Sequence, residues 1–214
     1  MHYEFIGGNL ALDFANTVHN HGSADPEDDL KGFSELVSWA RQAGLLTERE
    51  GQELSGRAQA HPGAAATDLR RGLRVRELFY EVFSEIAREG KPRPGALAGL
   101  NSHFRQAMAR VGIRRVADGF ELGWADHDRS LDRVMWAVTE AAVDLLTSGS
   151  FRRVRQCAGE NCTWLFLDTS RNGLRRWCDM QACGNRAKVR RFRQRKRTPA
   201  RRSKPELEKA IGPS

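Results

Sequence analysis

The chain has 214 residues, 29% of them charged, and 35 Lys or Arg against 27 Asp or Glu give a formal net charge of +8. That length suits one domain with a sizeable core plus a small module, and the lack of any apolar run of about 18 residues excludes a membrane-spanning helix. The charge is unevenly spread: residues 151–204 hold 17 Lys or Arg against three acids, Glu160, Asp168 and Asp179, whereas the rest holds 18 bases and 24 acids. Such a one-signed concentration attracts a polyanion whatever its sequence, and nucleic acid is the commonest such partner.

In chain order, Leu10, Leu12 and Phe14 alternate with Ala11 and Asp13 behind Gly7-Gly8, which predicts a short strand after a glycine turn. Phe33, Leu36, Val37 and Ala40 recur at helical spacing and stop before Gly44, a suitable C-terminal cap. Thr47 and Glu50 fit a capping box, so the next helix starts there and runs to about Gln59, ahead of His61-Pro62. The strongest periodicity, Leu69 through Ile86, predicts a central core helix. Lys91-Pro92-Arg93-Pro94 breaks it, and Leu97, Leu100, Phe104 and Met108 mark another. Ile113 to Trp124 reads as a hairpin turning at Asp118-Gly119. Leu131, Val134, Met135, Val138, Ala142 and Leu145 then predict a long helix closing near Gly149. Trp39, Trp124 and Trp136 are expected in the core, and the polar, proline-bearing tail from Thr198 is expected to be disordered.

The only cysteines are Cys157, Cys162, Cys178 and Cys183. Two Cys-x4-Cys pairs separated by fifteen residues supply the four thiolates that tetrahedral zinc needs. Two disulfides are the alternative. The first seventeen residues lack the charged start, apolar core and small-residue site of an export signal, so the expectation is a reducing, cytoplasmic setting and zinc. No histidine follows His127, so the ligands would all be sulfur. A closed four-thiolate shell makes the zinc structural and leaves no position to activate water.

Thr163 to Leu167 is β-prone, Asn172-Gly173 predicts a hairpin turn, Arg175-Arg176-Trp177 returns to Cys178, and a helix can start after Cys183. Knuckle, hairpin, helix is the order of a treble clef. At 100° per residue, Val189 and Phe192 share a narrow stripe expected to pack on the hairpin. Arg186, Arg190, Arg193 and Arg197 lie on one flank, and Lys188, Arg191 and Arg195 on the other. No acid occurs between Asp179 and Glu206, unlike an ordinary solvated face, which mixes signs. These residues are the candidate contacts to double-stranded DNA. Asn185 and Arg186 either read bases or brace the zinc loop. An RNA-binding zinc module is the alternative, with Trp164, Phe166 and Trp177 stacking on bases rather than packing.

Cys157 to Arg193 resembles the CGNR-type zinc finger, named for the stretch that stands here as Cys183-Gly184-Asn185-Arg186. Trp164-Leu165-Phe166-Leu167-Asp168, Ser170-Arg171-Asn172 and Trp177-Cys178 fit the same pattern. Gly7-Gly8-Asn9, Leu12-Asp13-Phe14 and Asn16-Thr17 are similar to the start of the ABATE domain, which precedes that finger in a bacterial family. The resemblance implies a stress-related transcription regulator whose finger binds DNA and whose front domain senses an unidentified small molecule.

Asp13 and Asn16 offer an acceptor and a donor for such a ligand, against the commoner use of these residues in caps and turns. His19 and His21 sit too close together for one helix face and lack partners for a second metal. There is no nucleophile elbow, phosphate-binding glycine loop or His-Glu-x-x-His, so no enzyme is expected. The expected fold class is α+β, with a mostly helical N-terminal domain and small β-sheet over 1–149. A small C-terminal treble-clef zinc finger over 150–197 and a tail over 198–214 complete it. The expected assembly is a homodimer, since regulators often bind paired half-sites. The expected location is the cytoplasm, on the nucleoid.

Overall fold

The computed structural model describes residues 2–124 and 133–197. Leu131, the tail, and the side chains of Trp124 and Arg197 fall outside that description. Seven α-helices and three two-stranded antiparallel sheets are found among the described residues, consistent with the α+β class.

The first element corrects the sequence reading. Leu10–Ala15 is a helix, α1, and not a strand. Asn9 stands in extended backbone before it, and its side-chain oxygen accepts the Ala11 N–H at 2.9 Å, an N-cap. Ala11 through Ala15 are all buried. A helix with all but its first residue buried shows no polar face and hence no 3.6-residue pattern, which is why six residues read as alternation.

Strands β1 (Val18–His19) and β2 (Glu27–Asp28) bracket a loop that precedes α2 (Phe33–Gln42). Helix α3 (Glu48–Ala60) opens with the expected reciprocal box: Glu50 accepts from the Thr47 amide at 2.7 Å, and the Thr47 hydroxyl accepts from the Glu50 amide. Helix α4 (Pro62–Ala87) begins on proline, which has no N–H to waste at a helix start. It runs through the middle of the molecule against α1, α2, α3 and α5 (Pro94–Met108). Helix α6 (Arg133–Thr147) packs on α1 and α5. Phe14, Trp39, Phe79, Phe83 and Val138 fill the core between them.

Strands β3 (Val111–Val116) and β4 (Gly119–Trp124) pair as a ribbon, with Val116 opposite Gly119. The turn therefore centres on Ala117-Asp118, one residue earlier than the Asp118-Gly119 reading. The register sets Ile113 across from Leu122 on one face, and these two with Phe120 are 74–76% exposed.

After a short 3-10 turn, β5 (Val154–Gln156) pairs with β6 (Leu165–Leu167). This is a second correction. The hairpin spans the first cysteine pair and does not turn at Asn172-Gly173, where the chain makes only a local turn closed by Gly173 N–H to the Ser170 carbonyl. Val154 and Leu165 lie in the same core as Phe79 and Phe83, so the hairpin is built into the larger body. A π-type turn, Met180–Gly184, launches α7 (Asn185–Arg197). Among the described residues, no helix is long and apolar enough to cross a membrane.

Candidate metal centre and nucleic-acid interface

The β5–β6 hairpin delivers Cys157 and Cys162 from the ends of its loop, with the Cys157 amide bonded to the Trp164 carbonyl at 2.8 Å. The second pair comes from the segment entering the π-type turn, held against the first knuckle by Ala158 N–H to the Arg176 carbonyl. All four Sγ atoms lie within 4.8 Å of one another, with Cys162 and Cys178 at 3.6 Å and Cys178 and Cys183 at 3.7 Å. Sulfurs on a tetrahedron with metal–sulfur bonds of about 2.3 Å stand roughly 3.8 Å apart, whereas a disulfide would need about 2.05 Å. None of the four is disulfide-bonded.

The surroundings fit a metal as well. A Cβ on Gly159 would stand 3.0 Å from Cys162 Cβ and 3.3 Å from Cys183 Sγ, so the knuckle closes over the thiolates only with glycine. The Gly159 and Cys178 amides both donate to Cys157 Sγ at 3.4 Å. Hydrogen bonds from Cys162 and Cys178 pull the Cys157 thiol down to about 2, while the same contact with Cys157 pushes Cys162 up to about 12 and drives Cys178 up too. Sulfurs this close cannot all ionise unaided, and a dication supplies the charge that lets them.

Several supporting groups carry only local sequence signals, which do not reveal their partners. Arg175 donates to the Trp177 carbonyl at 3.0 Å and to the Cys178 carbonyl, and its guanidinium lies 4.4 Å from the Phe166 ring centroid. Asp168 organises the loop between the cysteine pairs. Burial opposes its charge, but the Ser170 hydroxyl and amide and the Arg175 amide hold it below the usual carboxylate range. Asp179 caps the π-type turn through the Ala182 N–H at 2.6 Å. Trp164, Phe166 and Trp177 pack around the cysteines, so these rings serve the small core and are not presented as a stacking platform.

Helix α7 departs from expectation in one respect. Val189 is 48% exposed and Phe192 59%, so the stripe does not pack on the hairpin. The hairpin has no free face for it: Val154 and Leu165 face the main core, and Phe166 faces the cysteines. The main contact of α7 is the turn that launches it. Lys188, Arg191 and Arg195 are exposed on one flank. On the other, Arg190 pairs with Glu160 of the first knuckle and Arg193 is exposed. Arg186 donates to Cys183 Sγ at 3.2 Å, which makes it a brace of the metal loop in this conformation. Asn185 is exposed at the helix start.

Asp13 and Asn16 are structural ties. The Asn16 amide accepts from Leu165 N–H and donates to the Leu165 carbonyl, both at 2.8 Å. Asp13 Oδ1 accepts from Gly7 N–H at 2.7 Å, and the Gly7 carbonyl in turn accepts from Leu167 N–H at 2.7 Å. A Cβ on Gly7 would stand 2.9 Å from Asp13 Oδ1, which explains the glycine. Burial pushes the Asp13 carboxyl up to about 6, against the lowering effect of the Gly7 bond. Both residues also line an open cleft of about 1190 Å³ whose far wall is Val189, Arg190 and Arg193 of α7. His19 bonds Asp29 at 3.0 Å, and His21 stacks on Tyr80 with ring centroids 3.6 Å apart, so these histidines do not converge on a metal.

A helical body carrying a closed four-sulfur centre, from which a basic helix departs, defines a protein with a structural metal module. The family model ABATE, described as "Putative stress-induced transcription regulator", matches residues 8–149, and the CGNR zinc finger model matches residues 153–196. The first match spans well over half of the chain, which therefore belongs to the ABATE family, with a CGNR zinc finger following. No curated protein matches it. The chain holds one structural zinc through Cys157, Cys162, Cys178 and Cys183.

Proposed function

We propose that the protein is a zinc-dependent regulator that binds duplex DNA through α7 and senses a small molecule in its front domain. The observation that carries the DNA reading is a solvent-exposed helix of one charge sign, anchored at its first turn to the metal centre. Lys188, Arg191, Arg193 and Arg195 are exposed for phosphate contacts, and the uncovered Phe192 lies among them. Asn185 is the better placed candidate for reading a base edge, because Arg186 is occupied at Cys183.

The module is read as a treble clef in which the first knuckle belongs to a hairpin and the second to a helix start. Residues 1–149 and 150–197 are read as its two functional units. The role is one of binding, not catalysis, since a closed thiolate shell offers no open coordination position. A homodimer is proposed because two half-sites match a two-fold protein. The uncovered apolar face of the β3–β4 ribbon supports it. A cytoplasmic location on the nucleoid follows from the same reading. Competition between duplex DNA and single-stranded RNA for the zinc-loaded chain tests the proposal: the duplex should win, and a clear preference for the RNA would make this an RNA-binding module.

A further inference from the structure

The cleft between the front body and α7 is lined by acids on the front side and mainly by arginines on the α7 side, where the one acid, Asp179, is held by the Ala182 N–H, and most of these charges are already committed. On the α7 side Arg186 is bonded to Cys183 and Arg190 to Glu160, while Arg193 has no ion pair among the described residues. On the front side Asp29 is bonded to His19, while Glu4 and Glu27 stand exposed at the rim. Asp13 is the telling group. It is only 7% exposed, its Oδ1 takes the Gly7 amide, and its Oδ2 has no partner among the described residues, although the residue lines the cleft. The buried unsatisfied side-chain atoms do not include Oδ2, so this oxygen opens onto the cleft, where a sheltered carboxylate gains from any donor that an occupant supplies.

We propose that this cleft binds a small amphoteric molecule, with a primary ammonium seated against Asp13 and a carboxylate at its other end seated against Arg193. The inference rests on the sensing role proposed above and names the ligand class for it. A simple anion would leave Asp13 unanswered and meet Glu4 and Glu27, and a simple cation would leave Arg193 unanswered and lie against a basic helix. A polyanion is repelled by the acidic side. A molecule carrying both charges satisfies both ends with charge-assisted hydrogen bonds. It also takes Arg193 away from the DNA-facing set, so ligand and duplex oppose each other reciprocally.

The probe is a homologous series of unbranched ω-amino acids, from glycine to aminooctanoate, with the n-alkylamine and n-alkanoate of equal length as controls. Binding to the full zinc-loaded chain is measured by calorimetry, with and without duplex DNA. At least one member should outbind both controls and weaken duplex binding about 5-fold or more. Asp13→Asn should erase its advantage over the alkanoate, and Arg193→Gln its advantage over the alkylamine. Arg193 is exposed, so the second variant stays informative even if the first fails to fold. The inference is overturned if no member outbinds both controls, or if the preference survives both substitutions. The calorimetry without DNA decides the site by itself. Duplex binding without any ligand effect contradicts this inference alone, whereas a ligand-free chain that binds no duplex contradicts the proposed function.

Discussion

Asn16 and Leu165, 149 residues apart, are joined as two neighbouring strands would be: the Asn16 amide accepts the Leu165 N–H and donates to its carbonyl, both at 2.8 Å. A side chain thereby occupies the place of a missing strand beside β6 and ties the zinc hairpin to α1. Asn16→Ala should leave a buried N–H and a buried carbonyl unpaired, at about 1–3 kcal/mol for each group. Urea unfolding should show one cooperative transition shifted by about 2–6 kcal/mol. A shift below about 0.5 kcal/mol, the range of ordinary surface substitutions, would contradict the tie.

The same attachment predicts how the protein responds to losing its metal. On chelation, or in Cys178→Ser, α7 and the π-type turn should lose amide protection, because the thiolates and the turn are their main anchors. Strands β5 and β6 should keep theirs, since Val154 and Leu165 belong to the main core. Hydrogen exchange resolved by segment checks this. Equal loss in the hairpin and in α7 would mean that the finger unfolds as one separate unit.

Asp13 gives stability a defined dependence on pH. Its folded carboxyl ionises near 6 because it is buried, whereas in an unfolded chain an aspartate ionises near about 3.9. Between those values the folded protein holds more protons than the unfolded chain, so stability falls as pH rises through that window, and the penalty is complete above it. Asp13→Asn keeps an oxygen for the Gly7 amide and removes the penalty. Relative to wild type it should gain up to about 3 kcal/mol near neutral pH and progressively less toward about pH 4. Paired denaturant titrations across that range check it, and a difference that does not change with pH would count against the assignment.

Much of this was legible in the sequence, and what was not has identifiable causes. The Thr47–Glu50 box, the long α4 and the four cysteines are local or periodic signals, and each stands where the sequence sets it. Helix α1 is masked by the burial of every residue after Leu10. The partner of β6 was misassigned because Asn172-Gly173 is a strong turn signal, yet that turn closes a loop organised around Asp168. The tasks of Asn16 and Gly7 depend on residues far away in the chain, to which no spacing rule points. For Val189 and Phe192 the helical stripe was correct, but the surface meant to receive it faces elsewhere.

That last correction has its own test. Because both side chains are about half exposed, the double substitution Val189→Ser and Phe192→Ser should change unfolding free energy by less than about 1 kcal/mol, as surface substitutions do. A loss of several kcal/mol would restore the packed stripe.

The central claim is that α7 docks on duplex DNA as a phosphate-binding helix held by the zinc centre, and the salt dependence of binding tests it most directly. Affinity of the zinc-loaded chain for a duplex should fall linearly on a log–log plot against salt, by about 0.9 per neutralised phosphate. Replacing the exposed Arg191 with Ala should weaken binding to all duplexes alike and reduce that slope by about one, and removing zinc should abolish binding. Binding that is undetectable at low salt, or whose slope is unaffected by Arg191→Ala, Arg193→Ala and metal removal together, would contradict the account.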